Sequence, residues 1–308
     1  MFHPSASLDT LQKRAQLLQQ LRAFFNARGV METDVPALAP ATVTDVHLEP
    51  LRVPGVGYLQ TSPEYFMKRL VAAGCGSIYY LGKVYRKDES GRRHRPEFTM
   101  LEWYRVGMDD RQLMAEMTEL FHHLAPAVRV NLRSYKDVFF AALGVCPHAA
   151  TLADLQAVIA RTVELNSPLE DKSTCLDLLF SHCVEPSLGP GITFVYDYPA
   201  EQCALARLTA GADGVPVARR FEVFWHGMEL ANGYWELCSV AEQRARFDRD
   251  RHIRALNGLE VPEVDERFLA ALEVGLPECA GVALGVDRLL MCLVGATDIR
   301  EVMPFADG

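Results

Sequence analysis

The stretch Arg220–Leu237 reads RFEVFWHGMELANGYWEL, and in it Glu222, Glu229 and Glu236 recur every seven residues. Acids inside so apolar and aromatic a run need partners. A helix would gather that spacing on one face. Phe221, Val223, Phe224 and Trp225 are strand formers, however, and His226-Gly227 suits a two-residue turn. Strands folded about that turn set Trp225 opposite Met228, Phe224 opposite Glu229 and Glu222 opposite Ala231. Cross-strand partners share a face, and so do alternate residues along a strand. Glu222 and Glu229 then project from one face as diagonal neighbours. Two carboxylates that close repel unless a cation lies between them. Mg²⁺ is the hard, oxygen-seeking ion that such a pair would hold together with substrate phosphates. The plainer reading is a hairpin face half in water. Glu236 lies beyond Asn232-Gly233, read as a bend, so this pairing leaves its face open.

Three further groups have chemical potential. Arg86 closes an apolar strand and leads into a loop with Arg92, Arg93, His94 and Arg95, followed by Phe98. An arginine on a rigid strand presents a fixed fork to phosphate, a basic loop clamps a polyphosphate, and Phe98 offers a stacking face for a base. A solvated hairpin tip is the plainer alternative. In GVALGVDRLL, Gly281 and Gly285 allow close approach to a strand. Asp287-Arg288 then opens a helix, where the arginine either orients a terminal phosphate or pairs with its neighbour. Ser62-Pro63-Glu64 puts a carboxylate in a first helical turn, which also complements the helix dipole. Each group is weak alone. Together they supply an adenylation site: a bridging cation, arginines for the α- and γ-phosphates, an aromatic for adenine and acids for an amine. Nucleotidyl transfer depends on positioning and charge neutralisation and needs no protein nucleophile. No Ser-His-Asp or Cys-His arrangement is evident.

The elements that must carry these groups are legible in outline. Apolar residues at three- and four-residue steps from Leu8 to Phe25 predict a helix with Ser5 or Ser7 as cap and Gly29 as stop. SIYYLGKVYRK and FTMLEWYRVG are β-rich, and ITFVYDYP is a strong strand. From 109 to 190 the pattern turns mostly helical, which predicts a helical insertion within one domain of 308 residues. Hairpins and few βαβ alternations predict an α+β fold with an antiparallel sheet flanked by helices. The composition, 49% apolar and 23% charged, is that of a globular protein. No run is long enough for a membrane span. Eight scattered cysteines without a CxxC pair, and no visible secretory leader, predict reduced thiols in the cytoplasm. A net charge of −9 argues against a broad nucleic-acid surface.

These motifs resemble class II aminoacyl-tRNA synthetases of the lysyl type, over nearly the whole chain. The first helix with VMETDVPAL resembles motif 1, whose proline lies at the dimer interface. VYRKDESGRRHRPEFTMLEWY resembles motif 2, and GVALGVDRLL motif 3. TSPEY, EFTMLEWY and ELANGYWEL are specific to the lysyl branch. Motif 1 begins at about residue 7, which leaves no room before it for the anticodon-reading module of lysyl-tRNA synthetases. The resemblance therefore points to the branch whose members adenylate (R)-β-lysine and join it to a lysine side chain of elongation factor P. Ala283, where lysyl-tRNA synthetases usually have glycine, agrees, because a methyl group reshapes the amino-acid pocket.

The resemblance implies a homodimer that uses ATP and Mg²⁺, takes lysine or β-lysine, and needs no tRNA. Arg86 would hold the α-phosphate and the substrate carboxylate, and Arg288 the γ-phosphate, as the two catalytic arginines. Lys87, Asp88, His94, Arg95, Phe98, Glu229, Leu230 and Gly285 would complete the ATP site. Glu222 and Glu229 would bind the metal. Ser62, Pro63 and Glu64 would face the amino group near the reacting end, Glu236 and Tyr104 the terminal ammonium, and Ala283 the chain between them. Two departures stand out. Lys87-Asp88 replaces the family's Asn-Glu, and Arg95 stands where asparagine is common.

Overall fold

The computed structural model describes residues 2–306 apart from 47, 88 and 166. Helix α1 (Leu8–Asn26) starts where Ser7 accepts the Thr10 N–H, and it turns Leu17, Leu21, Phe24 and Phe25 inward. Strand β1 (Met31–Glu32) enters the main sheet, while β2 (Leu38–Ala39), β3 (Arg52–Val53) and β4 (Gly57–Leu59) form a small one. Helix α2 (Glu64–Ala72) follows, with Pro63 just ahead of it rather than inside its first turn. Strands β5 (Ile78–Tyr85) and β6 (Glu97–Val106) pair antiparallel about the basic loop.

The 109–190 region holds α3 (Asp110–Leu124), α4 (Tyr135–Leu143), α5 (Leu152–Thr162) and α6 (Lys172–Leu179), as its pattern predicts. It also holds an unforeseen strand, β7 (Val130–Ser134), which pairs parallel with β8 (Ile192–Pro199). Five residues of sequence VNLRS, three of them polar, carry too little pattern to announce a strand. After β9 (Leu208–Ala210) come β10 (Pro216–Trp225), β11 (Met228–Trp235), α7 (Val240–Leu256), α8 (Glu266–Gly275), β12 (Cys279–Gly285) and α9 (Val286–Val294). The sheet order is β1-β5-β6-β12-β11-β10-β8-β7, with β9 beside β10. All pairs are antiparallel except β1/β5 and β7/β8 at its ends. Among the described residues no helix is long and apolar enough to cross a membrane.

The β10–β11 hairpin turns as expected. His226 and Gly227 take φ of 52° and 65°, and Trp225 pairs with Met228 and Phe224 with Glu229. The next pairs differ: Val223 meets Ala231 and Glu222 meets Asn232, not Ala231. A bulge leaves Leu230 as an extra residue, and Leu230 and Ala231 both pack into the core. There is no bend at Asn232-Gly233, because β11 continues through both to Trp235. The bulge reverses the alternation, so Glu229, Asn232, Tyr234 and the following Glu236 share one face.

One sheet face, with Leu101, Trp103, Val223, Val282 and Leu284, packs under α1, α3 and α9. The opposite face presents Met100, Glu102 and Tyr104 of β6 beside Gly285, Ala283 and Gly281 of β12. Helices α2 and α8 cover part of it. Arg14 of α1 ties these layers together. Its Nη1 donates to Asp287 Oδ1 at 2.6 Å and its Nη2 to Thr99 Oγ1 at 2.7 Å, while the Thr99 N–H donates to Asp287 Oδ2 at 2.7 Å. Asp287 therefore pairs with Arg14, not with its neighbour Arg288. Removing one partner of a buried pair strands the other charge. Arg14→Met should lower the unfolding free energy by about 3–5 kcal/mol, read by chemical denaturation. Arg14→Met/Asp287→Leu should recover most of that loss.

Candidate active site

A cleft of about 1370 Å³ opens over the polar sheet face. It is lined by Ser62, Glu64, Arg86, His94, Arg95, Phe98, Tyr104, Glu222, Glu229, Leu230, Glu236, Ala283, Gly285 and Arg288. Two expected residues do not line it: Pro63 is buried ahead of α2, and the Lys87 side chain is exposed. Asp88 lies outside the described residues.

The two arginines flank one end. Arg86 follows β5, with its guanidinium 5.1 Å from the centre of the Phe98 ring and its Nη1 3.4 Å from Glu89 Oε1. Arg288, in the first turn of α9, donates to the carbonyl oxygens of Arg93 at 3.2 Å and Glu229 at 2.9 Å, and to His94 Nε2. Burial and then the Arg288 charge depress the His94 pKa, so the ring is neutral and its Nε2 accepts. The Asp287–Arg14 pair sits one residue before Arg288 and fixes where that guanidinium starts. Arg95 folds back onto its own loop, donating to the carbonyls of Gly91 and His94.

The other end is floored with buried acids. Glu236 is 1% exposed, and its Oε1 has no hydrogen-bond partner among the described residues. Its Oε2 lies 2.6 Å from Lys68 Nζ, which also reaches Glu64 Oε1 at 2.5 Å. Glu102, 2% exposed, accepts from Ser62 Oγ at 2.7 Å and from the Tyr104 hydroxyl at 2.8 Å. Ser62 Oγ in turn accepts the Glu64 N–H at 3.1 Å, which anchors the start of α2. Burial, with the nearby Glu64 charge, raises the Glu102 pKa to about 8. Burial also raises that of Glu236, to about 7, against the opposing pull of Lys68. An unpartnered buried carboxylate oxygen costs free energy until a donor arrives. Ala283 pairs with Glu102 and lines the cleft.

Residues 3–307 match the model for the class II tRNA synthetases (D, K and N). The elongation factor P--(R)-beta-lysine ligase of Vibrio vulnificus (strain YJ016) is 47% identical over 314 residues, covering 98% of this chain and 97% of that protein. Proteins of the same name from Edwardsiella ictaluri (46%) and Proteus mirabilis (45%) align over 99% of the chain and 97% of their own length. The chain belongs to the class II aminoacyl-tRNA synthetase family.

Within that family frame, Glu222 and Glu229 share a face across the hairpin. Glu222 accepts from Arg220 and, at 2.7 Å, from the Tyr198 hydroxyl. Glu185, from the 109–190 region, also lines the cleft, and its carboxyl pKa is raised to about 7 by burial and by the Glu229 and Glu222 charges. The all-oxygen pair Glu222 and Glu229 fits a hard divalent cation. Among the described residues no three His, Cys, Asp or Glu side chains are placed to hold an ion by themselves. Phosphate oxygens would have to complete its shell.

Sequence reasoning passed over Lys68, Glu102, Glu185 and Arg220. Two had a local signal. Glu64 and Lys68 are four apart on a helix, and Glu102 and Tyr104 alternate in an otherwise apolar strand. Gly281 has a steric reason to be glycine. A Cβ there would lie 2.4 Å from Tyr104 Cε1 and 2.5 Å from Glu236 Oε1, whereas at Gly285 nothing comes nearer than 3.9 Å. Gly281→Ala should therefore raise KM for the amino acid at least tenfold with little change in KM for ATP. Gly285→Ala should leave KM for the amino acid unaltered. Steady-state kinetics on both variants checks the contrast.

Proposed function

We propose that this enzyme activates (R)-β-lysine with ATP and transfers it to a lysine side chain of elongation factor P. The observation that carries the reading is the buried carboxylate floor, with Glu236 Oε1 unpartnered, at one end of a cleft whose other end holds Arg86 and Arg288. An amino acid with ammonium groups lies with its chain over Ala283 and its carboxylate toward Arg86. Its carboxylate oxygen attacks the α-phosphorus of ATP, the bond to the bridging oxygen breaks, and pyrophosphate leaves. The acceptor amine, as the free base, then attacks the acyl carbon. AMP departs with the electron pair of the carbon–oxygen bond, and the amine's proton is lost to solvent.

Arg86 neutralises charge at the α-phosphate, Arg288 at the γ-phosphate, and Phe98 stacks on the adenine. Positioning and neutralisation of this kind account for most of the acceleration in such transfers. Glu222 and Glu229, with Glu185 nearby, would hold Mg²⁺, which neutralises phosphate oxygens when bound. The net charge of −9 supports a protein acceptor over tRNA, and the free cysteines support a reducing cytoplasm. The motif 1 resemblance supports a homodimer.

Amine-dependent ATP–pyrophosphate exchange, followed by mass spectrometry of elongation factor P, tests the reading. (R)-β-lysine should support exchange better than lysine, and one acceptor lysine should gain the β-lysyl mass. No exchange with either isomer would refute the proposal. Glu236→Gln loses a charge-assisted contact of about 2–3 kcal/mol, so its KM for the amino acid should rise roughly 30- to 150-fold.

A further inference from the structure

Lys68 is a polar side chain of the site that the reaction above leaves without a role. It lies one helical turn after Glu64 on α2 and is 1% exposed. Its ammonium touches Glu64 at 2.5 Å and Glu236 at 2.6 Å, with the rings of Tyr104 and Phe268 each 5.9 Å away. Burial alone would lower its pKa, but Glu236 and Glu64 override it and hold the group above the usual lysine value. Lys68 is therefore a fixed cation. It does not balance the floor: Glu64, Glu102 and Glu236 are three acids around one ammonium. Burying a lysine among carboxylates is a poor route to stability, since apolar residues of similar volume do as well or better. A functional reason is needed.

We propose that Lys68 is a positioning residue for amine recognition. It takes one share of three carboxylates, holds Glu64 and Glu236 together and leaves a charge gap that an amino acid with two ammonium groups fills. One ammonium bridges both acids and so fixes the spacing between them. A substrate with a single ammonium leaves one carboxylate uncompensated, so Lys68 sets the number of charges that the pocket counts. The inference rests on the adenylation reading above.

Chemical rescue in amine-dependent pyrophosphate exchange tests it. Lys68→Ala should raise KM for β-lysine tenfold or more while kcat changes less than threefold. Millimolar propylammonium, which restores an ammonium through the vacated channel, should return KM toward the wild-type value; propanol should not. Lys68→Met fills the channel without a charge and should show the raised KM without rescue. An unchanged KM in Lys68→Ala, or a rise that propylammonium fails to reverse, overturns the proposal. Should Lys68→Ala not fold, Lys68→Met alone decides: a raised KM for β-lysine is expected, and an unchanged one overturns the proposal. Wild-type enzyme without exchange overturns the adenylation reading and this inference with it, whereas active wild type with unaffected variants overturns this inference alone.

Discussion

The imbalance of charge on one face of the sheet governs the site. Glu64, Glu102 and Glu236 lie together where water is nearly excluded, and Lys68 answers only part of their charge. Carboxylates in such a place either take protons or await cations. The raised pKa values of Glu102 and Glu236 express that tension, and the unpartnered Glu236 oxygen is its geometric counterpart. The diammonium substrate proposed for this enzyme would relieve it. Selectivity for amines would then follow from burial itself, since an analogue lacking an amine leaves an acid without its counter-charge.

One backbone irregularity makes the arrangement possible. Glu229 and Glu236 are seven apart, an odd spacing that puts residues on opposite faces of a regular strand. The bulge at Leu230 reverses the alternation and brings both to the cleft. The two-residue turn at His226-Gly227 joins Glu222 to the same face from the neighbouring strand. The helix-like period of the acids is thus the joint product of a turn and a bulge. At the Arg86–Arg288 end the rigidity comes from packing: Arg14 holds Asp287, Asp287 holds Thr99, and Arg288 starts its helix from that fixed point.

Much of this was legible in the sequence. Strand formers and turn chemistry gave the hairpin, and capping and periodicity gave α1. The motif resemblance brought Arg86, Arg288, Phe98, Glu222, Glu229 and Glu236 to a single cleft. What escaped has physical causes. A bulge leaves no mark in propensity, so the pairing of Glu222 slipped by one residue and Glu236 had no assigned face. Strand β7 is short, partly exposed and held by a parallel partner distant in sequence. Lys68 and Glu102 look like ordinary residues of an amphipathic helix and a strand. Their meaning depends on an acid more than a hundred residues away. Glu185 reaches the cleft of Glu222 and Glu229 from a region whose pattern speaks only of helices.

The central claim, that buried acids wait for substrate ammonium groups, is tested most directly by proton linkage. Burial pushes the Glu102 carboxyl up to about 8 and that of Glu236 to about 7, so near pH 7 the free enzyme holds most of a proton on Glu102 and about half of one on Glu236. Binding an ammonium favours the ionised carboxylates and lowers those values, so protons leave as the amino acid enters. Affinity should then rise with pH from 6 toward 8. Calorimetric titration with β-lysine at pH 7, in buffers of different ionisation enthalpy, counts the protons. The account predicts a net release approaching one proton per site. Binding with no proton exchange, or with uptake, would contradict it.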